Sequence, residues 1–330
     1  MKSRIYPKII AFLVTKKCTA QCKMCCFECS PKVQEKMPLE MIEGIINQAA
    51  EISAIETIGF SGGEPFLEYD ILIKEMKHAK SVGKKVICTS NGFWGTTYER
   101  AEGIISEVQT AGLDRLSLSV DQFHSEYVSV NNIKNILQAS NKKGLAIDIG
   151  SVITKSKSKL GGLFDEIAEE MVNVPHYTAA CLPVGTACTQ IDMSDLIYDE
   201  NIFARSNCCF ETYHFAIFPS GDVYPCCSQA GATNPLKLGN VKDCSLEDLY
   251  KSFNANINIR ILHSKGLKWY LDVANEIGYK KFFGKKYVNK CHLCRDIFSD
   301  QEFMGKISMY LDREKEKIYA KYLKTVNAYE

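Results

Sequence analysis

Four of the nine residues in "CTAQCKMCC" (18–26) are cysteines, and Cys18, Cys22 and Cys25 stand in the spacing C-x3-C-x2-C. Thiolates are nucleophiles and soft metal ligands. Structural zinc takes four ligands in paired spacings. Three closely spaced thiolates instead suit three irons of a [4Fe–4S] cube and leave the fourth iron open to another ligand. A zinc ion that borrows a ligand from elsewhere is the alternative reading. Cys26 and Cys29 are expected beside the centre, as a packed thiol and a loop thiol, not as ligands.

A second set lies in the C-terminal half. Cys209 is followed after eleven residues by Gly221, and four more residues lead to Cys226; Cys291 and Cys294 then supply a C-x2-C pair. Cys208 and Cys227 turn the first two positions into doublets, so the register of ligation is open by one residue at each. If Cys226 is a ligand, Cys227 in a strand points to the opposite face.

The chain has 15 cysteines. Its start, "MKSRIYPKIIAFLV", is basic and then apolar but carries no small-residue cleavage site, so it reads as a first strand in a cytoplasmic protein. In that compartment clustered thiols serve metals or redox chemistry rather than disulfides. Cys88, isolated in "VICTSNG", is expected to be a buried small apolar side chain. A hydrophobic content of 46% with 24% charged residues fits a globular protein. The formal net charge of +1 favours neither nucleic acid nor an anionic membrane, and no apolar run approaches the roughly 18 residues of a span.

The elements that must position these groups alternate along residues 8–183. β-branched runs at "KIIAFLV", "IETIGF", "KKVICTS", "LDRLSLSV", "AIDIGSVI" and "HYTAACL" are separated by stretches of helical spacing. "PLEMIEGIINQAAEI" puts Met41, Ile42, Ile45, Ile46 and Ala49 on one face; "YDILIKEMKHAKSVG", "TTYERAEGIISEVQTAG", "IKNILQASNKKG" and "GLFDEIAEEMV" follow. Six strand–helix units imply a parallel sheet with its chemistry at the C-terminal strand ends. "YHFAIFPSGDVYPCC" then reads as a hairpin around "PSGD", and residues 301–326 as one amphipathic helix.

With these motifs in place, residues 1–190 resemble the radical S-adenosylmethionine (SAM) superfamily. That resemblance implies a partial (β/α)6 TIM-like barrel and a cluster on Cys18, Cys22 and Cys25 whose open iron binds SAM. It also implies reductive cleavage of SAM to a 5′-deoxyadenosyl radical. Gly62, Gly63 and Glu64 in "FSGGEP" match the family's GGE motif, the glycines letting the backbone approach the SAM ammonium and Glu64 accepting from it. Ser90 and Asn91 in "TSNG", and Ser119 and Asp121 in "SLSVD", end strands three and four and are candidates for SAM or substrate contacts. His124 reads as a satisfied loop histidine.

Residues 191–300 resemble the auxiliary-cluster domains of the same enzymes, with Cys209, Cys226, Cys291 and Cys294 around a second [4Fe–4S] cluster. The full SPASM pattern expects cysteines where Asp300 and Met304 stand, so the shorter twitch version is implied. Residues 301–330 are expected to form a terminal helix. The combination resembles YydG-type peptide epimerases, which convert L- to D-residues in ribosomally made peptides. That implies SAM as co-substrate, a precursor peptide as substrate, a flavodoxin or ferredoxin as reductant, and no nucleic-acid or membrane partner. Cys227 becomes the candidate hydrogen donor. Oxidation or crosslinking of a peptide, or dehydrogenation of a small molecule, is the alternative. Because the chain opens on strand one, a leader is expected to bind the barrel rim, the C-terminal helix or a separate protein. "PVGTA" (183–187) is similar to the P-x-G-R-A motif of related enzymes, with Thr186 in place of arginine.

Overall fold

The computed structural model describes residues 7–207, 209 and 214–326; Cys208 lies outside them. Strands β1 (Ile9–Leu13), β2 (Thr57–Ser61), β3 (Lys85–Ser90), β4 (Arg115–Ser119), β5 (Ala146–Ile153) and β6 (His176–Ala180) are neighbours in space in the order of the sequence. All five pairings are parallel. Successive strand residues point to opposite faces. Ile10, Phe12, Ile58, Phe60, Val86, Cys88, Leu116 and Leu118 are buried accordingly, under helices α1 (Leu39–Ala50), α2 (Tyr69–Ser81), α3 (Tyr98–Thr110) and α4 (Val130–Lys143). The alternate residues, such as Gly59, Thr89, Ser117 and Gly150, are mostly small or polar.

The helix limits follow local chemistry. Thr97 and Ser129 accept from backbone amides at the starts of α3 and α4. Gly144, at φ 72°, ends α4 in the left-handed conformation. On α1, Ile42, Ile45, Ile46 and Ala49 are buried, while Met41 sits half-buried at the margin.

The helix expected over 162–172 is shorter than its periodicity suggests: α5 spans Gly161–Asp165 and turns follow. Asp165, Glu166, Glu169 and Glu170 repel one another at helical spacing with no basic residue among them, and Gly161 and Gly162 weaken the first turn.

After α6 (Ala187–Gln190) the expected hairpin is present as β7 (His214–Ile217) and β8 (Asp222–Tyr224), with Gly221 at φ 92° in its turn. It does not stand apart. β7 pairs in parallel with β1, and β9 (Gly239–Asn240) pairs with β8, giving one sheet of nine strands in the order β6-β5-β4-β3-β2-β1-β7-β8-β9. Phe215, Ile217 and Val223 continue the apolar layer. Helices α7 (Leu246–Ala255), α8 (Ile257–Ser264), α9 (Leu267–Glu276) and α10 (Lys290–Ser299) cover it.

The expected terminal helix is two, α11 (Gln301–Lys306) and α12 (Ser308–Val326). The chain bends at Ile307, just after Gly305, with both Phe303 and Ile307 fully buried. Asp300 caps α11 through the Phe303 amide and pairs with Lys281 and the Tyr279 hydroxyl. It is a structural residue where a longer cluster motif would have a thiol. No described helix is long and apolar enough to cross a membrane.

Phe215 joins the hairpin to its helices, its ring 5.1 Å from Tyr250 and 6.1 Å from Phe253. Phe215→Ala is expected to cost about 3–5 kcal/mol, read as a lowered urea midpoint.

Candidate functional site

The C-terminal strand ends surround a cavity of about 280 Å³. Cys18, Cys22 and Cys25 reach it from the loop after β1, together with Cys26 and Cys29. Burial pushes the Cys18 thiol up to about 11 and raises Cys22 further. Cys25 moves the other way, down to about 6, because the Cys29 thiol and amide both donate to its sulfur. The Ala20 amide donates to the Cys18 sulfur at 3.4 Å, and the Asn91 side chain at 3.7 Å. Buried sulfurs fed by N–H donors are the environment that iron–sulfur thiolates take, so this donor set fits such a cluster.

Gly62 and Gly63 also line the cavity, and the structure gives their small size an internal reason. A Cβ on Gly62 would collide with the Thr15 carbonyl oxygen, and one on Gly63 with that of Lys17. The bonds Gly63 N–H to Thr15 O (2.6 Å) and Glu64 N–H to Lys17 O (2.9 Å) seat the end of β2 against the segment entering the cysteine loop. Glu64 departs from expectation. It is fully buried and outside the cavity wall, because its oxygens accept from the Phe66 amide (3.1 Å), the Ser90 hydroxyl (2.9 Å) and the Asn91 amide (2.8 Å). Burial raises it to about 7.

Ser90 and Asn91 line the cavity. Ser90 is fully engaged, accepting from the Gly92 amide and the Trp94 indole while it donates to Glu64. Asn91 donates to Thr19 at 3.0 Å, and to Cys18, and so ties the end of β3 to the cysteine loop. Nothing in the sequence marked Thr19 for this contact.

Ser119 and His124 line the cavity, but Asp121 does not. Its carboxylate accepts from the Phe123, His124 and Val152 amides and from the His124 ring at 2.9 Å. Burial opposes its charge, yet the imidazole and these amides hold it below the usual carboxylate range. In "PVGTA" the Thr186 amide donates to the Cys25 carbonyl, and a Cβ on Gly185 would overlap that of Cys26. This segment braces the cysteine loop from behind.

The second set also converges. Cys291 and Cys294 lie a turn apart on α10, whose cap Asn289 accepts from the Cys291 and His292 amides. Burial raises Cys294, and the neighbouring Cys291 and Cys209 thiols add to it. Cys226 is raised by its hydrogen bond with the Cys227 thiol, by burial and by Cys291. The Ser228 amide donates to the Cys226 sulfur at 3.3 Å, repeating the pattern of the first loop. Cys226 and Cys227 do not face opposite ways as a strand would require. β8 ends at Tyr224 and Pro225 follows, so the pair sits in a bend with its thiols in contact. Cys227 is exposed, lies outside the cavity lining and is close enough to Cys26 and Tyr177 to raise both.

Residues 12–147 match the radical SAM superfamily, and residues 208–295 match the SPASM iron–sulfur cluster-binding domain. The chain is 27% identical to YydG of Bacillus subtilis, named as a peptide biosynthesis protein, over 94% of its own length and 98% of that relative. It is 25% identical to a GTP 3′,8-cyclase of Lactiplantibacillus plantarum over 48% of each chain. Native anSMEcpe with bound AdoMet has the same fold, with a TM-score of 0.55 and 14% identity over 93% of this chain and 99% of that one. SAM and two iron–sulfur clusters are therefore the cofactors.

Two substitutions test how the site is held. Gly63→Ala is expected to cost about 1–3 kcal/mol through overlap with Lys17 and to lower the iron recovered on reconstitution. Glu64 binds its proton more tightly folded than at its ordinary value of 4.5. Its contribution to stability is thus complete below pH 4.5 and lost as the pH rises through about 7. Urea unfolding of the cluster-free protein should show that fall, and Glu64→Gln should flatten it.

Proposed function

We propose that this chain, which belongs to the radical SAM superfamily and carries an auxiliary iron–sulfur domain, modifies a ribosomally made peptide by converting L-residues to D-residues. In this reading Cys18, Cys22 and Cys25 hold the SAM-binding cluster, and Cys209, Cys226, Cys291 and Cys294 hold the auxiliary one. Gly62, Gly63, Ser90, Asn91 and Ser119 form the wall against which SAM lies. Glu64 and Asp121 act through their neighbours, fixing Ser90, Asn91 and His124. When bound, SAM and its cluster supply the carbon-centred radical that removes a hydrogen atom from a substrate Cα.

The protein's own part is to hold the peptide and return hydrogen from the other side. Cys227 carries that role, and the observation that supports it is its position: an exposed thiol in a bend, against Cys226 and close to Cys26 on the cavity wall. A thiol S–H bond is weaker than most C–H bonds, so transfer to a carbon radical runs downhill. Delivery from the face opposite to abstraction inverts the centre. Restoring the thiol takes one electron, which a reductant such as flavodoxin or ferredoxin supplies, and one proton, which comes from solvent. The similarity to YydG along nearly the whole chain supports a peptide as the substrate.

The test is anaerobic turnover, in deuterated buffer, of short peptides encoded beside the gene. The product should carry one non-exchangeable deuterium at each altered residue and yield the D-amino acid on hydrolysis. Cys227→Ala should abolish both while SAM cleavage continues. Loss of two hydrogens without deuterium uptake would instead identify oxidation or crosslinking.

A further inference from the structure

The sheet has two edges, and they differ. At one, β9 has two residues, Gly239–Asn240, too few to template another strand. At the other, β6 runs for five residues, and among the described residues no strand pairs with its outer side. His176, Tyr177, Thr178 and Ala179 are all exposed, Tyr177 to 56%. Proteins protect such edges with charges, proline, bulges or a covering element, because a row of open N–H and C=O groups recruits an extended chain. "HYTAA" contains no Lys, Arg, Asp, Glu or Pro. The helix preceding it, which could have covered it, is reduced to five residues.

This edge leads into the site. Ala179 and Ala180 line the cavity beside the cysteine loop. Two residues earlier the Tyr177 ring lies over Gly150, where a Cβ would come within 2.8 Å of the phenol oxygen, and Tyr177 is close enough to Cys227 to be shifted by it. A strand laid along β6 therefore ends at the cavity.

We infer that the outer edge of β6 is the docking strand for the substrate, an extended peptide segment that pairs backbone to backbone with His176–Ala180 and delivers its next residues to the cavity. The inference rests on the peptide-modifying function proposed above. Main-chain pairing supplies affinity while alternate side chains supply selectivity. The methyl side chains of Ala179 and Ala180 leave room where the peptide turns in.

Reconstituted holoenzyme is mixed with the synthetic precursor peptide encoded beside its gene, and modification and hydrogen exchange are read in the same sample by mass spectrometry. The outward-facing amides within 176–180 should exchange about tenfold or more slowly with peptide present. Peptides N-methylated at single positions should bind about five- to tenfold more weakly at every second residue, with little effect between, as loss of one strand hydrogen bond predicts. A peptide that is modified while β6 exchange stays unchanged overturns the docking strand and leaves the function standing. Protection that needs no peptide and grows with protein concentration puts a second copy on the edge and also overturns it. A peptide neither modified nor protecting β6 counts against both.

Discussion

One buried carboxylate organises the reactive end of the sheet. Glu64 stands just past the end of β2 with no exposure to solvent, and the three hydrogen bonds of its side chain reach forward: to Phe66 in its own turn and to Ser90 and Asn91 at the end of β3. Burying such a group is tolerable only when its acceptors are filled. The donors that fill it are thereby fixed, and they fix others in turn. Ser90 holds Trp94, and Asn91 holds Thr19 and the sulfur of Cys18. The cysteine loop is thus oriented from β3 as well as from the β1–β2 contact that the glycines permit.

The same logic joins the two cysteine sets. β7 adds to the free side of β1, so the hairpin that ends at Cys226 grows from the strand next to the one that launches Cys18. Just past β7, Phe218 meets Phe27 of the cysteine loop edge-on at 5.9 Å and Tyr224 of β8 at 5.4 Å. Continuity of the sheet, rather than a linker between separate bodies, is what brings Cys227 toward Cys26.

Much of this was legible in the chain. The six parallel strands fall within a residue or two of the β-branched runs, and the capping and glycine signals mark the ends of α3 and α4. Cys18, Cys22, Cys25, Ser90, Asn91 and Ser119 line one cavity, whereas Glu64 and Asp121 do not. What the sequence withheld depends on closure in three dimensions. "SGGEP" does not reveal whether Glu64 faces a ligand or its own backbone, since that follows from where Ser90 and Asn91 arrive. Asp121 likewise turns to His124 and Val152. The bend at Cys226–Cys227 was readable from Pro225, and α7 from the S-x-x-D start at Ser245. Where α5 stops, like charges at Asp165, Glu166, Glu169 and Glu170 oppose the helical apolar pattern.

We propose that two clusters sit on two separate thiol sets and that only the first meets SAM. Electron paramagnetic resonance of the reduced protein, with and without SAM, tests it on the wild type and on the variant Cys18→Ala/Cys22→Ala/Cys25→Ala. The wild type should show two signals, one of which shifts when SAM is added. The variant should keep a single signal that SAM leaves unchanged. A SAM-sensitive signal surviving in the variant, or loss of every signal from it, would contradict the account.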